Sequence, residues 1–115
     1  EVVEGNLSFR KKEVGRVKEI IEQELKEFKQ WKNYRQTVPV IKSVRKLGDK
    51  IKEEELNRVF NQLQDVNLKE KEIIEDLANR LTNKLLHNPT VAIKDLANSH
   101  NSNQKLQVAR KLFNC

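Results

Sequence analysis

The side chains that most often carry catalysis or bind metals are few in this sequence and lie far apart. The two histidines are His87 and His100, and the single cysteine, Cys115, is the last residue. A metal site needs ligands that converge on one point, and these three residues share no helix face and no known ligand spacing. A thiol nucleophile also needs a neighbouring base, for which a terminal cysteine is poorly placed. We therefore predict no metal site and no catalytic residue in this chain.

The sequence also lacks a loop that could bind a nucleotide. Its three glycines, Gly5, Gly15 and Gly48, are too scattered to form a G-x-G-x-x-G fingerprint. The carboxylate run Glu53-Glu54-Glu55 is explained more simply as a solvated helix face than as an acid–base pair. We therefore predict no cofactor-binding residues.

The positive charge of the chain is concentrated in one segment. The formal net charge is +6, and residues 26–52 contain nine basic residues against two acidic ones, so this segment alone accounts for the excess. Within it, Lys42, Lys46 and Lys50 are spaced by four residues, and we call them the basic ladder. Like charges at this spacing destabilise a helix by about 0.2–0.5 kcal/mol per pair. A solvated surface is the default interpretation, and contact with a nucleic-acid backbone is the alternative.

Apolar spacing predicts an all-α fold of about five helices, with a long first helix and no strands. We expect the helices near residues 2–35, 39–64, 68–87, 90–97 and 104–113, with a flexible polar loop at 98–103. The second helix should bury the side formed by Ile41, Val44, Leu47, Ile51, Val59 and Leu63. The third has an apolar face formed by Ile73, Ile74, Leu77, Leu81 and Leu85.

Two prolines are expected to separate helices. A proline disfavours helix in the residue before it, so Val38 should be extended and Pro39 should open the second helix. The third helix should end at Pro89 for the same reason. At its start, Asn67 and Glu70 have the spacing of a capping box.

A long apolar stripe on the first helix is the candidate interaction surface. It consists of Val14, Val17, Ile21, Leu25, Phe28 and Trp31, and we call it the N-terminal stripe. A helix this long cannot bury its stripe in a small domain without a partner, so we predict a two-fold homodimer. A core role for Phe28 and Trp31 stays open, because the core of an interface and of a domain look alike in sequence. A coiled-coil scaffold is weaker, since the apolar pattern does not hold a strict heptad.

Length and composition limit the class of protein. A chain of 115 residues is one domain, and no segment has the apolar length that a bilayer requires. A lone cysteine fits the reducing cytoplasm. Because the chain begins with Glu1 and contains no methionine, we expect it to be a piece of a longer protein.

Two stretches resemble the C-terminal dimerisation domain of glutamyl-tRNA reductases. The first is Asn83-Lys84-Leu85-Leu86-His87-Asn88-Pro89-Thr90-Val91. The second is Trp31, followed by Val38-Pro39-Val40-Ile41 and by Glu53-Glu54-Glu55-Leu56 before Arg58. The sequence departs from the family pattern at Val40, where threonine is commoner, and at Asn88, where a second proline is common.

The resemblance implies that the chain's own role is subunit association. Residues 1–36 would be the end of a long linking (spinal) helix, and residues 37–115 would be the dimerisation domain. Glu1-Val2-Val3-Glu4 resembles the part of the linking helix that directly follows the NADPH domain. The parent enzyme would be an oxidoreductase that reduces glutamyl-tRNA to glutamate semialdehyde with NADPH in tetrapyrrole (porphyrin and haem) biosynthesis. Lys42, Lys46 and Lys50 would then be a possible tRNA contact. The competing interpretation is a stand-alone basic helical module that binds RNA.

Overall fold

The computed structural model describes the backbone of residues 2–115 and the side chains of residues 5–115. It contains α1 (Val2–Gln62), α2 (Leu68–Asp95), a single 3₁₀ turn (Leu96–Asn98) and α3 (Ser102–Phe113). Since no strand occurs in this part of the chain, the all-α prediction is confirmed. The segment Glu1-Val2-Val3-Glu4 lies outside the residues whose side chains are described.

The expected break at Pro39 is wrong, because α1 continues through this proline. An interior proline costs a helix about 3 kcal/mol, since it removes one backbone hydrogen bond and crowds the preceding turn. Val40 and Val44 follow Pro39 on the inner side of α1 and are fully buried, and burying one such side chain contributes about 1.5–3 kcal/mol. The buried Thr37 hydroxyl also donates to the Tyr34 carbonyl at 2.6 Å. Packing therefore outweighs the local preference for a break.

The expected break at Pro89 is wrong for the same reason. α2 continues to Asp95, which places Ile93 in the core and leaves no separate helix at 90–97. The flexible loop expected at 98–103 is shorter than predicted, since α3 begins at Ser102 and that residue is buried. Asn101 makes the turn with φ of 59°, a left-handed conformation that asparagine tolerates better than most residues. The described part of the chain thus has three α-helices instead of the five expected.

The predicted start of α2 is confirmed by hydrogen bonds. The backbone N–H of Glu70 donates to the side-chain oxygen of Asn67 at 2.8 Å. The side-chain amide of Asn67 donates to the Glu70 carboxylate, also at 2.8 Å. Asn67 therefore caps the helix, and the carboxylate of Glu70 holds the capping side chain in place.

The chain divides into two compact units, residues 1–32 and residues 33–115. From Val2 onward, the first unit consists of α1 residues. The domain boundary predicted between residues 36 and 37 stays a prediction.

In the second unit, residues 33–62 of α1 and the whole of α2 form an antiparallel helical hairpin. Asn33, early in this unit, donates to the Ala97 carbonyl at 3.4 Å. Near the turn, the Lys71 ammonium lies 5.5 Å from the centre of the Phe60 ring. α3 closes the open end of the hairpin. The core cluster combines residues of all three helices, namely Val40, Val44, Ile93, Leu106 and Ala109.

Candidate association surfaces

An open apolar cleft of about 530 Å³ lies between α1 and α2. Its lining includes Leu47, Ile51, Leu56 and Val59 from α1 and Ile74, Leu77, Leu81 and Leu85 from α2. The polar side chains at the cleft are Lys52, Glu55 and Thr82. We call this region the α1–α2 cleft.

The α1–α2 cleft exists because α2 has apolar residues on two faces. Leu86 packs against the core and Ile93 belongs to it. On the other face, Leu77 and Leu85 are 65% and 67% exposed. Fully burying a side chain of this size contributes about 1.5–3 kcal/mol of stabilising free energy. A partner that covered these leucines would therefore gain several such contributions.

The expected buried side of the second helix is therefore only partly correct. Val44 is buried, but Ile51 is about half exposed and Leu63 is also exposed. The reason is geometric, since Ile51 lines the open α1–α2 cleft and Leu63 lies beyond the end of α1. Among the described residues, the buried apolar positions of α1 are Val40, Val44 and Leu56.

A second apolar groove of about 440 Å³ lies between α2 and α3. α2 contributes Pro89, Ala92 and Ile93, and the 3₁₀ turn after it contributes Leu96. α3 contributes Lys105, Val108, Ala109, Leu112 and Phe113. Phe113 lines both this α2–α3 groove and the α1–α2 cleft. The two therefore meet at this ring and follow α2 along most of its length.

The N-terminal stripe is exposed along its whole length. Its six residues, Val14, Val17, Ile21, Leu25, Phe28 and Trp31, are between 49% and 61% exposed. The rings of Phe28 and Trp31 lie 5.9 Å apart and are tilted by 34°. The prediction that this stripe forms a dimer interface is untested and stays a prediction.

The basic ladder lies on the exposed surface of α1. Lys42, Lys46 and Lys50 are all exposed, and among the described side chains none of the three has a carboxylate within ion-pair distance. Asp49 instead pairs with Arg45 at 3.3 Å and with Lys52 at 3.6 Å. The ladder thus presents three charges without internal compensation.

The residues considered for chemistry do not come together. His87, His100 and Cys115 are all exposed, and the cysteine is a free thiol. Over the described part of the chain, no group of three or more His, Cys, Asp or Glu residues is arranged to hold a metal ion. In the same part, no helix is long and apolar enough to cross a membrane.

A helical hairpin with long uncovered apolar clefts defines a class of protein, the helical association domain. The model of one family, described as the dimerisation domain of glutamyl-tRNAGlu reductase, matches residues 16–115. The chain belongs to this family.

Several whole proteins are similar to the chain over nearly all of its length. A glutamyl-tRNA reductase of Sulfurihydrogenibium sp. (strain YO3AOP1) is 37% identical and one of Pelotomaculum thermopropionicum 34%, each over 98% of the chain. One of Carboxydothermus hydrogenoformans is 36% identical over 97%. The chain spans about a quarter of the length of these relatives. No solved structure gives a significant match.

The exposed face of α2 is the surface that sequence reasoning missed as an interaction site. The signal was present, because Leu77, Leu81 and Leu85 are spaced by four while Leu86 and Ile93 are spaced by seven. These two sets of residues fall on different faces of α2. In the folded chain the core covers the face with Leu86 and Ile93, and the face with the three leucines stays exposed.

Proposed function

We propose that this chain associates the subunits of a glutamyl-tRNA reductase, as a homodimer. The observation that carries the proposal is the open α1–α2 cleft, found in a chain whose family is described as a dimerisation domain. A monomer rarely exposes continuous apolar surface of more than a few hundred Å², and larger surfaces mark association sites. A second copy would remove this surface from water. As part of this proposal, the parent protein is a cytoplasmic enzyme.

The parent's activity, by this proposal, is the NADPH-dependent reduction of glutamyl-tRNA to glutamate semialdehyde in tetrapyrrole biosynthesis. The residues of this chain do not fit NADPH. A dinucleotide site needs a glycine-rich turn between a strand and a helix, and all three glycines here lie inside α1 with no positive φ among them. We therefore place the cofactor on parts of the parent protein other than this chain.

The basic ladder supports a contact between this chain and the tRNA. Lys42, Lys46 and Lys50 are exposed and form no ion pair with the acidic side chains of residues 5–115, so their charge is available to phosphates. Each lysine that meets a phosphate releases counterions, which favours binding at low salt. The same observation favours the second candidate function, a stand-alone RNA-binding module.

Sedimentation equilibrium at micromolar concentration tests the proposed association. We expect twice the chain mass of 13.5 kDa. A monomer mass with unchanged helicity would contradict the proposal.

The two candidate functions differ in what the isolated chain does. The association domain should dimerise and should neither bind NADPH nor reduce charged tRNA. The RNA-binding module should remain monomeric and bind RNA on its own, which a filter-binding titration at low salt would reveal. Dimerisation combined with weak RNA binding supports the first candidate.

A further inference from the structure

The exposed face of α2 has a directional pattern of side-chain size. The middle of this helix carries three large exposed residues at intervals of four, Leu77, Leu81 and Leu85. Its C-terminal half carries the smaller residues Pro89 and Ala92, which line the α2–α3 groove. Residues spaced by four lie almost above one another on a helix, so the leucines form a ridge. The ridge and the groove are consecutive parts of one surface.

This surface is long enough to receive a whole helix. From Leu77 to the end of α2 at Asp95 it extends for roughly 27 Å at 1.5 Å per residue. α1 flanks the first half through the α1–α2 cleft, and α3 flanks the second half through the α2–α3 groove. The linings of both are almost entirely apolar, so the occupant must present an apolar helix of similar length.

We propose that the occupant is α2 of a second copy, antiparallel and crossing near Leu85. This inference rests on the proposed function and adds the surface and the orientation of the pairing. In this arrangement the leucine ridge of each copy, Leu77 and Leu81, enters the partner copy's groove at Pro89 and Ala92. Leu85 of each copy lies near the two-fold axis and faces its own counterpart.

The size pattern selects the orientation. In a parallel pair each residue meets its own counterpart, so leucine would oppose leucine and the groove at Pro89 and Ala92 would stay open. In an antiparallel pair Leu77 and Leu81 meet the smaller Pro89 and Ala92 on both sides of the axis, and only Leu85 meets its own counterpart, which is how helix ridges fill grooves. A two-fold axis then makes every contact occur twice. The surface is therefore complementary to itself in one direction only.

The contribution of all three helices to the surface also favours a second copy. Obligate homodimers bury more than roughly 2,000 Å² and resemble a domain core cut in half. Exposed apolar side chains of all three helices belong to this surface: the leucine ridge of α2, Ile51 of α1, and Val108 and Leu112 of α3. A short peptide would contact one of these helices and leave the apolar side chains of the others in water.

A charge placed on the ridge tests the surface. Leu81→Asp should weaken dimerisation at least about 100-fold, because the interface would bury an unpaired carboxylate. Leu81 is 58% exposed, so the helicity of the separated chains should be unchanged. The matched control is Leu68→Asp, since Leu68 is 78% exposed in the first turn of α2 and faces away from the ridge. Sedimentation equilibrium and circular dichroism are the measurements.

Disulfide trapping tests the orientation, in a Cys115→Ser background. A disulfide needs Cβ atoms about 3.5–4.5 Å apart, so Leu85→Cys chains should form covalent dimers on mild oxidation. Leu77→Cys chains should not link to themselves, but should link to Ala92→Cys chains when the two are mixed. Self-linkage of Leu77→Cys indicates a parallel pair and overturns the inference.

The outcomes separate this inference from the proposed function. A dimer that survives Leu81→Asp and is trapped by Ile21→Cys overturns the α2 surface, while dimerisation itself stands and the N-terminal stripe is the interface. A wild-type chain that is monomeric overturns both. Dissociation by Leu81→Asp, with trapping at Leu85 and between Leu77 and Ala92, supports both.

Discussion

Gly48 of α1 and Leu86 of α2 approach so closely that a Cβ on the glycine would lie 2.6 Å from Leu86 Cδ1. The next nearest atom, Thr82 Cγ2, would lie 3.4 Å away. A glycine inside a helix costs about 1 kcal/mol of helix stability relative to alanine. At this position the glycine leaves room for the side chain of Leu86. Gly48, Thr82 and Leu86 all line the α1–α2 cleft.

Gly48→Ala should therefore fail to deliver the gain of about 1 kcal/mol that helix propensity alone would give. The new methyl group forces Leu86 to move, and Leu86 packs against the core. In a Leu86→Ala background the obstruction is absent, and the same substitution should recover most of that gain. Denaturant unfolding of the four chains forms a double-mutant cycle. Equal effects of Gly48→Ala in both backgrounds would show that the contact imposes no cost.

Pro39→Ala should stabilise the protein by about 2 kcal/mol, which is the interior-proline cost of about 3 kcal/mol less the gain in unfolded-chain entropy. The reason is that α1 is helical on both sides of this residue, so alanine restores a backbone donor inside the helix. If Pro39 instead began a helix, the substitution would be close to neutral. Thermal and urea unfolding distinguish the two results.

Asn67→Ala should lower the free energy of unfolding by about 1 kcal/mol, because the Glu70 N–H loses its capping partner. Asn67→Asp should preserve most of the stability, since a carboxylate also accepts this bond. Asn83→Ala, the same truncation at an exposed position within α2, is the matched control and should be neutral or slightly stabilising. Similar losses for Asn67→Ala and Asn83→Ala would contradict a capping role.

Replacing Lys42, Lys46 and Lys50 by glutamine in a complete reductase that carries this chain should weaken tRNA binding and flatten its salt dependence. Each lost phosphate contact removes about 0.9 from the slope of log K against log salt on a duplex. Dimerisation should be unchanged, because the three side chains are exposed outside the α1–α2 cleft.

The control for charge is a triple variant of Lys11, Lys12 and Lys18, which are also exposed and change the net charge equally. If the two triple variants bind tRNA alike at low salt, the basic ladder is a solvated surface.

Sequence reasoning found the elements whose signals are local and missed those decided by packing. The helix start at Asn67 was predictable, because the residues that make the cap lie within one turn of each other. The continuity of α1 at Pro39 was not, since its cause is the burial of Val40 and Val44 against residues more than forty positions away. Long-range packing of this kind leaves no trace in local propensity.

The association surface shows the same division. That α2 is apolar at Leu77, Leu81 and Leu85 is evident from spacing alone. Which of its two apolar faces stays open depends on where α3 packs, and α3 covers the face that contains Ile93. The N-terminal stripe is easier to recognise in the sequence because its apolar spacing is uninterrupted. The spacing alone does not show which apolar surfaces become buried when the chain folds.

The division of α1 between two compact units has a consequence for amide hydrogen exchange. In residues 33–62 the helix is supported by α2 and α3, whereas the large apolar side chains described in residues 5–32 are at least 49% exposed. Local opening costs little free energy where few apolar contacts must break. In the isolated chain, backbone amides should therefore exchange fast before Lys32 and slowly after it, within one unbroken helix. Trypsin should cut first after the exposed lysines and arginines of residues 10–32, and leave the helical hairpin and α3 as the resistant fragment.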